Sequence, residues 1–251
     1  MRIFLIRHGE SVGNIDESAF EKYENYYIPL TRHGARQVDE AGAFLDRYLS
    51  THPGEHNGKV DIWFGPFRRV VQTKNGLAKH IRNHVENTHE HYLLREKFHG
   101  VFDNIRDPDR QVVLLPEEFA AYSKEREEKG DIYARPPGGE SLDDVAKRTH
   151  RFLEKYVQGD KDVVIVCHGA VATALERELC QRDDDWLIQR KNEQGFIKNA
   201  NIRLLEGDRE RGFNAETIFT APERNAETHP SMSAPYGGPF PERRAMTAQA
   251  R

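Results

Sequence analysis

The sequence predicts an α/β fold, a three-layer α/β/α sandwich built on a mostly parallel central sheet. Three observations point to it. Short apolar, β-branched runs read as buried strands: Arg2-Ile3-Phe4-Leu5-Ile6, Val60-Asp61-Ile62-Trp63-Phe64 and Asp162-Val163-Val164-Ile165-Val166-Cys167. Stretches with apolar residues at helical spacing alternate with them, through Ala35, Val38, Ala41, Phe44, Leu45, Tyr48 and Leu49, and again through Leu142, Val145, Ala146, Thr149, Phe152, Leu153 and Tyr156. Two of the strands end alike, in Arg7-His8-Gly9-Glu10 and in His168-Gly169.

The first strand delivers His8 to its C-terminal edge, where Gly9 turns the chain. Ligands of open α/β sheets bind at that edge, and an imidazole held there beside Arg7 is a candidate nucleophile for an electron-poor phosphorus centre. After the second His-Gly, residues 170–180 read as a helix whose first amides present partial positive charge to an anion.

With 251 residues, 37% hydrophobic and 31% charged, the chain suffices for one sizeable domain. A net charge of -4 gives no general attraction to nucleic acid or an anionic membrane, while a local basic cleft can still hold a phosphorylated small molecule. Two cysteines, Cys167 and Cys180, make no disulfide framework, and no N-terminal signal or long apolar run is present. A reducing, cytoplasmic setting is expected. Oligomeric state is open.

Between the strands, residues 16–28 are polar and aromatic and suit a short helix walling the cleft. Thr31 is a candidate helix cap, so Arg32-His33-Gly34, although it repeats Arg-His-Gly, reads as a helix start rather than a second site. A strand at 60–64 leads into a helix over about 67–85, and His91-Tyr92-Leu93-Leu94-Arg95-Glu96 reads as a strand carrying Glu96 to its end. His80, His84, His89, Glu90 and His91 lack the spacing of a closed metal set. Residues 101–135 are irregular and charged and read as a lid-like insertion. Ser141 caps the next helix, residues 198–205 and 216–219 read as two closing edge strands, and residues 221–251 read as a flexible C-terminal tail after a domain spanning 1–220.

Taken in order, five motifs resemble the histidine phosphatase superfamily of phosphoglycerate mutase-like enzymes. They are Arg7-His8-Gly9; Leu30-Thr31-Arg32-His33-Gly34-Ala35-Arg36-Gln37; Pro66-Phe67-Arg68-Arg69-Val70-Val71-Gln72-Thr73; Leu94-Arg95-Glu96 followed by Gly100; and Pro137-Gly138-Gly139-Glu140-Ser141. The resemblance implies catalytic roles for His8, Arg7, Arg69, Glu96 and His168. It adds Gly9, Ser11, Asn14 and Gly169 to the phosphate-binding set, although Ser11 and Asn14 also suit ordinary turn chemistry. Glu140 is read as structural. Three departures stand out: Gly65 replaces the family's usual Ser or Thr, Lys97-Phe98-His99 replaces a mutase-like Arg-His-Tyr, and the mutases' Thr-Gly-Trp region is missing. Residues 28–31 and the long insertion resemble a branch found in plants and fungi more than the glycolytic mutases.

The resemblance implies a metal-independent, cofactor-free phosphatase. Neutral imidazole escapes the repulsion that an anionic nucleophile meets at a phosphomonoester. His8 attacks phosphorus to give a phosphohistidine, Glu96 protonates the leaving oxygen and then activates water, and Arg7, Arg69 and His168 hold the transferring group. The alternatives are a mutase-type phosphotransferase and a catalytically silent phospho-ligand-binding module.

Overall fold

The computed structural model describes residues 1–194, 196–225 and 228–237. Their order is β1 (Arg2–Arg7), α1 (Val12–Ile15), α2 (Ala19–Lys22), α3 (Arg32–Thr51), β2 (Val60–Phe64), α4 (Arg68–His80) and β3 (Val85–Glu90), then α5 (Pro108–Leu114), α6 (Pro116–Tyr133), α7 (Leu142–Tyr156), β4 (Val163–Cys167), α8 (Gly169–Leu179), α9 (Asp184–Gln189), β5 (Ile202–Asp208) and β6 (Gly212–Phe219). The six strands form one sheet in the order β3-β2-β4-β1-β5-β6. Pairings among β3, β2, β4 and β1 are parallel, and β5 and β6 are antiparallel. The strands that read as continuous apolar runs, β1 and β4, occupy the middle, where both faces must be covered.

Alternation along those strands sorts their side chains into two cores. Phe4, Ile6, Val164 and Val166 meet Val38, Leu45, Val70 and Leu77 of α3 and α4 on one face. Ile3, Leu5, Val163 and Ile165 meet Val145, Phe152, Val171 and Leu175 of α7 and α8 on the other. The caps read from the sequence hold: Thr31 Oγ1 accepts from the Gly34 amide at 2.9 Å and Ser141 Oγ from the Asp144 amide at 3.0 Å. His33 lies in the first turn of α3, buried rather than on the surface.

Three expectations are corrected. Residues 91–96 are not a strand. Helix α4 ends at His80, the strand is Val85–Glu90, and Tyr92–Leu94 forms a single 3-10 turn. As the sheet edge, β3 needs little apolar content and hides in the sequence, while Leu94 is apolar because the turn tucks it into the α7–α8 core. Secondly, β5 is not an edge: it lies between β1 and β6, and only β6 closes that side. Thirdly, residues 221–225 and 228–237 pack on the domain in place of a free tail. The Arg32 amide donates to Ala234 O at 2.9 Å and the Tyr236 amide to Leu30 O at 2.8 Å. The remainder of the predicted tail lies outside the described residues.

The insertion is largely helical, with α5 and α6 each carrying Pro in the first turn. Gly130, at φ 76°, breaks α6 before Asp131.

Close packing fixes the entrance of α3 against the strand-end loop. A Cβ on Gly34 would sit 2.0 Å from Glu10 O, a distance that only backbone movement relieves. Gly34→Ala is therefore expected to cost about 1–3 kcal/mol, read as a lowered urea midpoint. An unchanged midpoint would mean that α3 slides freely against this loop.

Candidate active site

The parallel register of β1 on β4 pairs Arg7 with Cys167, so the next residue of each strand, His8 and His168, emerges at the same edge. Their ring centroids lie 5.2 Å apart. Both are buried, and residues 160 positions apart in sequence become neighbours through sheet hydrogen bonding alone.

The proton on His8 can be placed. Arg69 Nε lies 3.2 Å from His8 Nε2, and a guanidinium only donates, so Nε2 carries the lone pair. Nδ1 then holds the hydrogen and donates it to Gly9 O at 2.8 Å. Burial, then Arg69, His168 and Arg7, push the imidazole pKa well below its ordinary value. His8 is thus neutral, with its lone-pair nitrogen turned to the arginine.

Arg69 is 3% exposed and anchored by Nη1 donating to Asn25 O at 2.9 Å, and its Nη2 lies 3.6 Å from Glu96 Oε2. Burial lowers its pKa to about 10, which leaves it cationic at neutral pH. The adjacent Arg68 points away and donates to Gly237 O at 3.1 Å. Glu96 Oε2 lies 3.1 Å from His168 Nδ1, while Oε1 accepts the Lys97 amide at 2.9 Å. Burial works to raise the Glu96 pKa, but His168 and Arg69 outweigh it and hold the carboxyl well below its usual range. His168 is pushed down to about 4, chiefly by burial. Neither of its ring nitrogens makes a hydrogen bond of good geometry within the described residues, nor does Arg7 Nε. The Arg7 head is held by Nη1 donating to Ile197 O at 2.9 Å.

A cavity of about 260 Å³ opens beside this cluster, lined among others by Arg7, Glu96, Lys97, His99, Tyr122 and Lys191. Tyr122 comes from α6, so a side chain of the insertion lines the cavity. Asp131, at the end of that helix, pairs with Lys191.

The structure brings together His8, Arg7, Arg69, Glu96 and His168. Other predicted contacts serve different ends. The Gly9 amide donates to Thr73 Oγ1 at 3.1 Å and the Gly9 carbonyl accepts from His8 Nδ1, so Gly9 orients the imidazole. Ser11 Oγ donates to Asn14 Oδ1 at 2.9 Å, as does the Ser11 amide at 3.0 Å, so this pair caps α1. Gly169 begins α8, where a Cβ would come within 2.9 Å of Phe196 Cβ. Gly65 stands where a hydroxyl residue was expected because a Cβ there would lie 2.5 Å from Leu94 O. Glu140 is structural, accepting from Arg95 at 2.5 Å and from Arg148 at 2.9 Å.

Sequence reading missed several groups. Thr73 links Gly9 to Arg69, donating to Arg69 O at 2.7 Å, although its motif was visible. Asn199 Nδ2 donates to His8 O at 2.9 Å. Lys97 and His99 were noted only as departures, and Lys191 gave no signal because the fold alone brings its helical turn to α6.

The family model for the histidine phosphatase superfamily, branch 1, matches residues 3–216. The chain belongs to that superfamily. This member is 29% identical over 218 residues to the phosphoglycerate mutase-like protein AT74 of Arabidopsis thaliana, a match covering 82% of the chain and 64% of that relative. It therefore spans somewhat less than two thirds of AT74. A 2,3-bisphosphoglycerate-dependent phosphoglycerate mutase 2 of Gloeobacter violaceus is 26% identical, over 70% of this chain and 74% of its own. Among solved structures, the α-ribazole phosphatase of Shigella flexneri superposes with a TM-score of 0.67 at 19% identity, covering 90% of this chain and all of its own. A mycobacterial glucosyl-3-phosphoglycerate phosphatase complexed with VO3 gives 0.63 at 20% identity, covering 88% and 99%. These structures establish the phosphoglycerate mutase-like α/β fold. Among the described residues no helix is long and apolar enough to cross a membrane.

Lys97 supplies a pH test of the cavity. Burial, with Arg106 adding to it, lowers its pKa to about 8. The ammonium is present below that pH and lost above it, so inorganic phosphate should bind progressively more weakly as pH rises through about 8. In Lys97→Met this limb should disappear from a calorimetric titration series; its persistence would assign the dependence to another group.

Proposed function

We propose that this superfamily member is a metal-independent phosphatase that hydrolyses a small phosphomonoester through a phosphohistidine on His8. One observation carries the reading: a neutral imidazole with its Nε2 lone pair oriented by a buried arginine, beside a second buried histidine whose ring nitrogens have no hydrogen-bond partner of good geometry. Cationic arginines and neutral imidazoles suit an incoming phosphate. His8, Glu96 and His168 also lie close enough to share an ion, but the cations Arg7 and Arg69 disfavour a metal there and favour an anion.

In this scheme the phosphate displaces the Arg69–His8 hydrogen bond, and Arg69 turns its donors to the phosphoryl oxygens. Nε2 attacks phosphorus as the ester P–O bond breaks, and the imidazole retains its Nδ1 proton against Gly9 O. Arg7, Arg69 and His168 spread the charge of the transferring group. Glu96 is ionised in the free site, and a dianionic ester arriving beside it raises its proton affinity, so that it takes up a proton from solvent. Glu96 then delivers a proton to the leaving oxygen and, as carboxylate again, takes one from the water that attacks the phosphohistidine. Water finally releases phosphate and regenerates His8.

The test is turnover of an aryl phosphate and a panel of phosphometabolites in chelator, with acid-quenched protein assayed for trapped phosphate. Phosphate release is expected without metal, lost by orders of magnitude in His8→Ala, and lowered about 10²–10⁴-fold in Glu96→Gln. Dependence on added divalent metal would sink the scheme. Transfer of phosphate to an acceptor in place of release would make the protein a mutase-type phosphotransferase, and binding without trapping or turnover would leave a phospho-ligand-binding module.

A further inference from the structure

Residues 221–225 and 228–237 follow the end of the family match at 216, yet they are tied to the loop that carries His8. Arg224 donates to the Glu10 carboxylate twice, from Nε at 3.1 Å and from Nη2 at 2.6 Å, and its Nη1 donates to Ser233 Oγ at 3.1 Å. Glu10 is 7% exposed and also accepts from Thr31 Oγ1 at 2.6 Å. A second link runs through Gln37, whose Oε1 accepts the Glu10 amide at 2.9 Å while its Nε2 donates to Pro222 O at 2.8 Å. A third reaches α4: Gln72 donates to Tyr236 O and accepts the Leu30 amide, both at 2.8 Å. The strap therefore fixes both sides of Glu10 and the first turns of the helix that bears Arg69.

Glu10 follows Gly9, whose carbonyl holds the His8 Nδ1 proton and whose amide is bound by Thr73. Any shift of Glu10 moves that peptide. The geometry points to Arg224 as a positioning residue: through Glu10 it holds Gly9 O against His8 Nδ1 and so keeps Nε2 as the lone-pair nitrogen. Loss of the strap loosens the Gly9 O contact and leaves Arg69 alone to hold the lone pair on Nε2, so the other tautomer, in which Nε2 carries hydrogen and cannot attack, gains population. The bidentate, largely buried pair is the kind of charge-assisted contact that can enforce such geometry, and a small misplacement of a reacting group costs far more in rate than in binding. The kinetic part of this inference rests on the reading of His8 as nucleophile; the placement of its proton does not.

The experiment compares the full chain with Arg224→Ala and Arg224→Lys, using ¹⁵N-histidine spectra at neutral pH, with the His8 signals assigned by their loss in His8→Asn, and steady-state kinetics on an aryl phosphate. The wild type should show a protonated Nδ1 and a bare Nε2. Arg224→Ala should move both signals toward a tautomer mixture and lower kcat about ten- to a hundredfold, with KM changed less than about threefold. Arg224→Lys should recover most of both. Where Arg224→Ala does not fold, Arg224→Gln is read by the same two measurements. Unchanged ring signals overturn the inference, whether kcat falls or Tm alone falls, since the strap then acts elsewhere or only stabilises. A tautomer shift without a change in kcat supports the placement and counts against His8 as nucleophile. A wild type with no turnover removes the proposed function and leaves the ring signals to decide the strap.

Discussion

The parallel pairing of β1 with β4 is the constraint on which the site depends. Register there is set by burial on both faces: a slip of one residue would turn Phe4 and Ile6 out of the core they share with Val164 and Val166. The same register places His8 beside His168, so the packing that stabilises the sheet centre also assembles the chemistry. Arg69 and Glu96 are added by chain segments leaving the C-terminal ends of β2 and β3, the edge at which open α/β sheets take ligands.

Electrostatics then select the protonation states. Two imidazoles and two arginines around one carboxylate in a buried setting cannot all be charged, and both histidines, the groups most easily neutralised, give way. Glu96 stays ionised because the surrounding donors and cations outweigh the cost of burying its charge. In the proposed scheme the free site is poised for an anion, and the carboxylate acquires its proton only as a phosphate arrives. Hydrogen bonding completes the selection, since Gly9 O and Arg69 Nε between them admit one His8 tautomer.

Several motif residues serve packing and orientation within the fold. Gly34 allows α3 to meet the strand-end loop, Thr73 joins Gly9 to Arg69, and Gln37 and Gln72 hold residues 222 and 236 against the domain. Ser11 and Asn14 are engaged with each other, and Gly65 answers to Leu94 O. Motif membership thus identifies residues that matter without saying which of them touch the reacting atoms.

By itself the sequence determined the α/β class, the strands β1, β2 and β4, the principal helices with their Thr31 and Ser141 caps, and the five residues of the cluster. These were legible because burial on both faces, helical periodicity and side-chain capping are local in the chain. Only the tertiary structure decided the rest. Edge strand β3 is polar because one neighbour suffices for it, and Leu94 is apolar because a turn, not a strand, buries it. The protonation of His8, the second duty of Gly9 and the docking of residues 221–225 and 228–237 through Arg224 depend on contacts between groups up to 214 positions apart. No periodicity records such contacts, because each is made by one side chain to one partner and leaves its neighbours in sequence unconstrained.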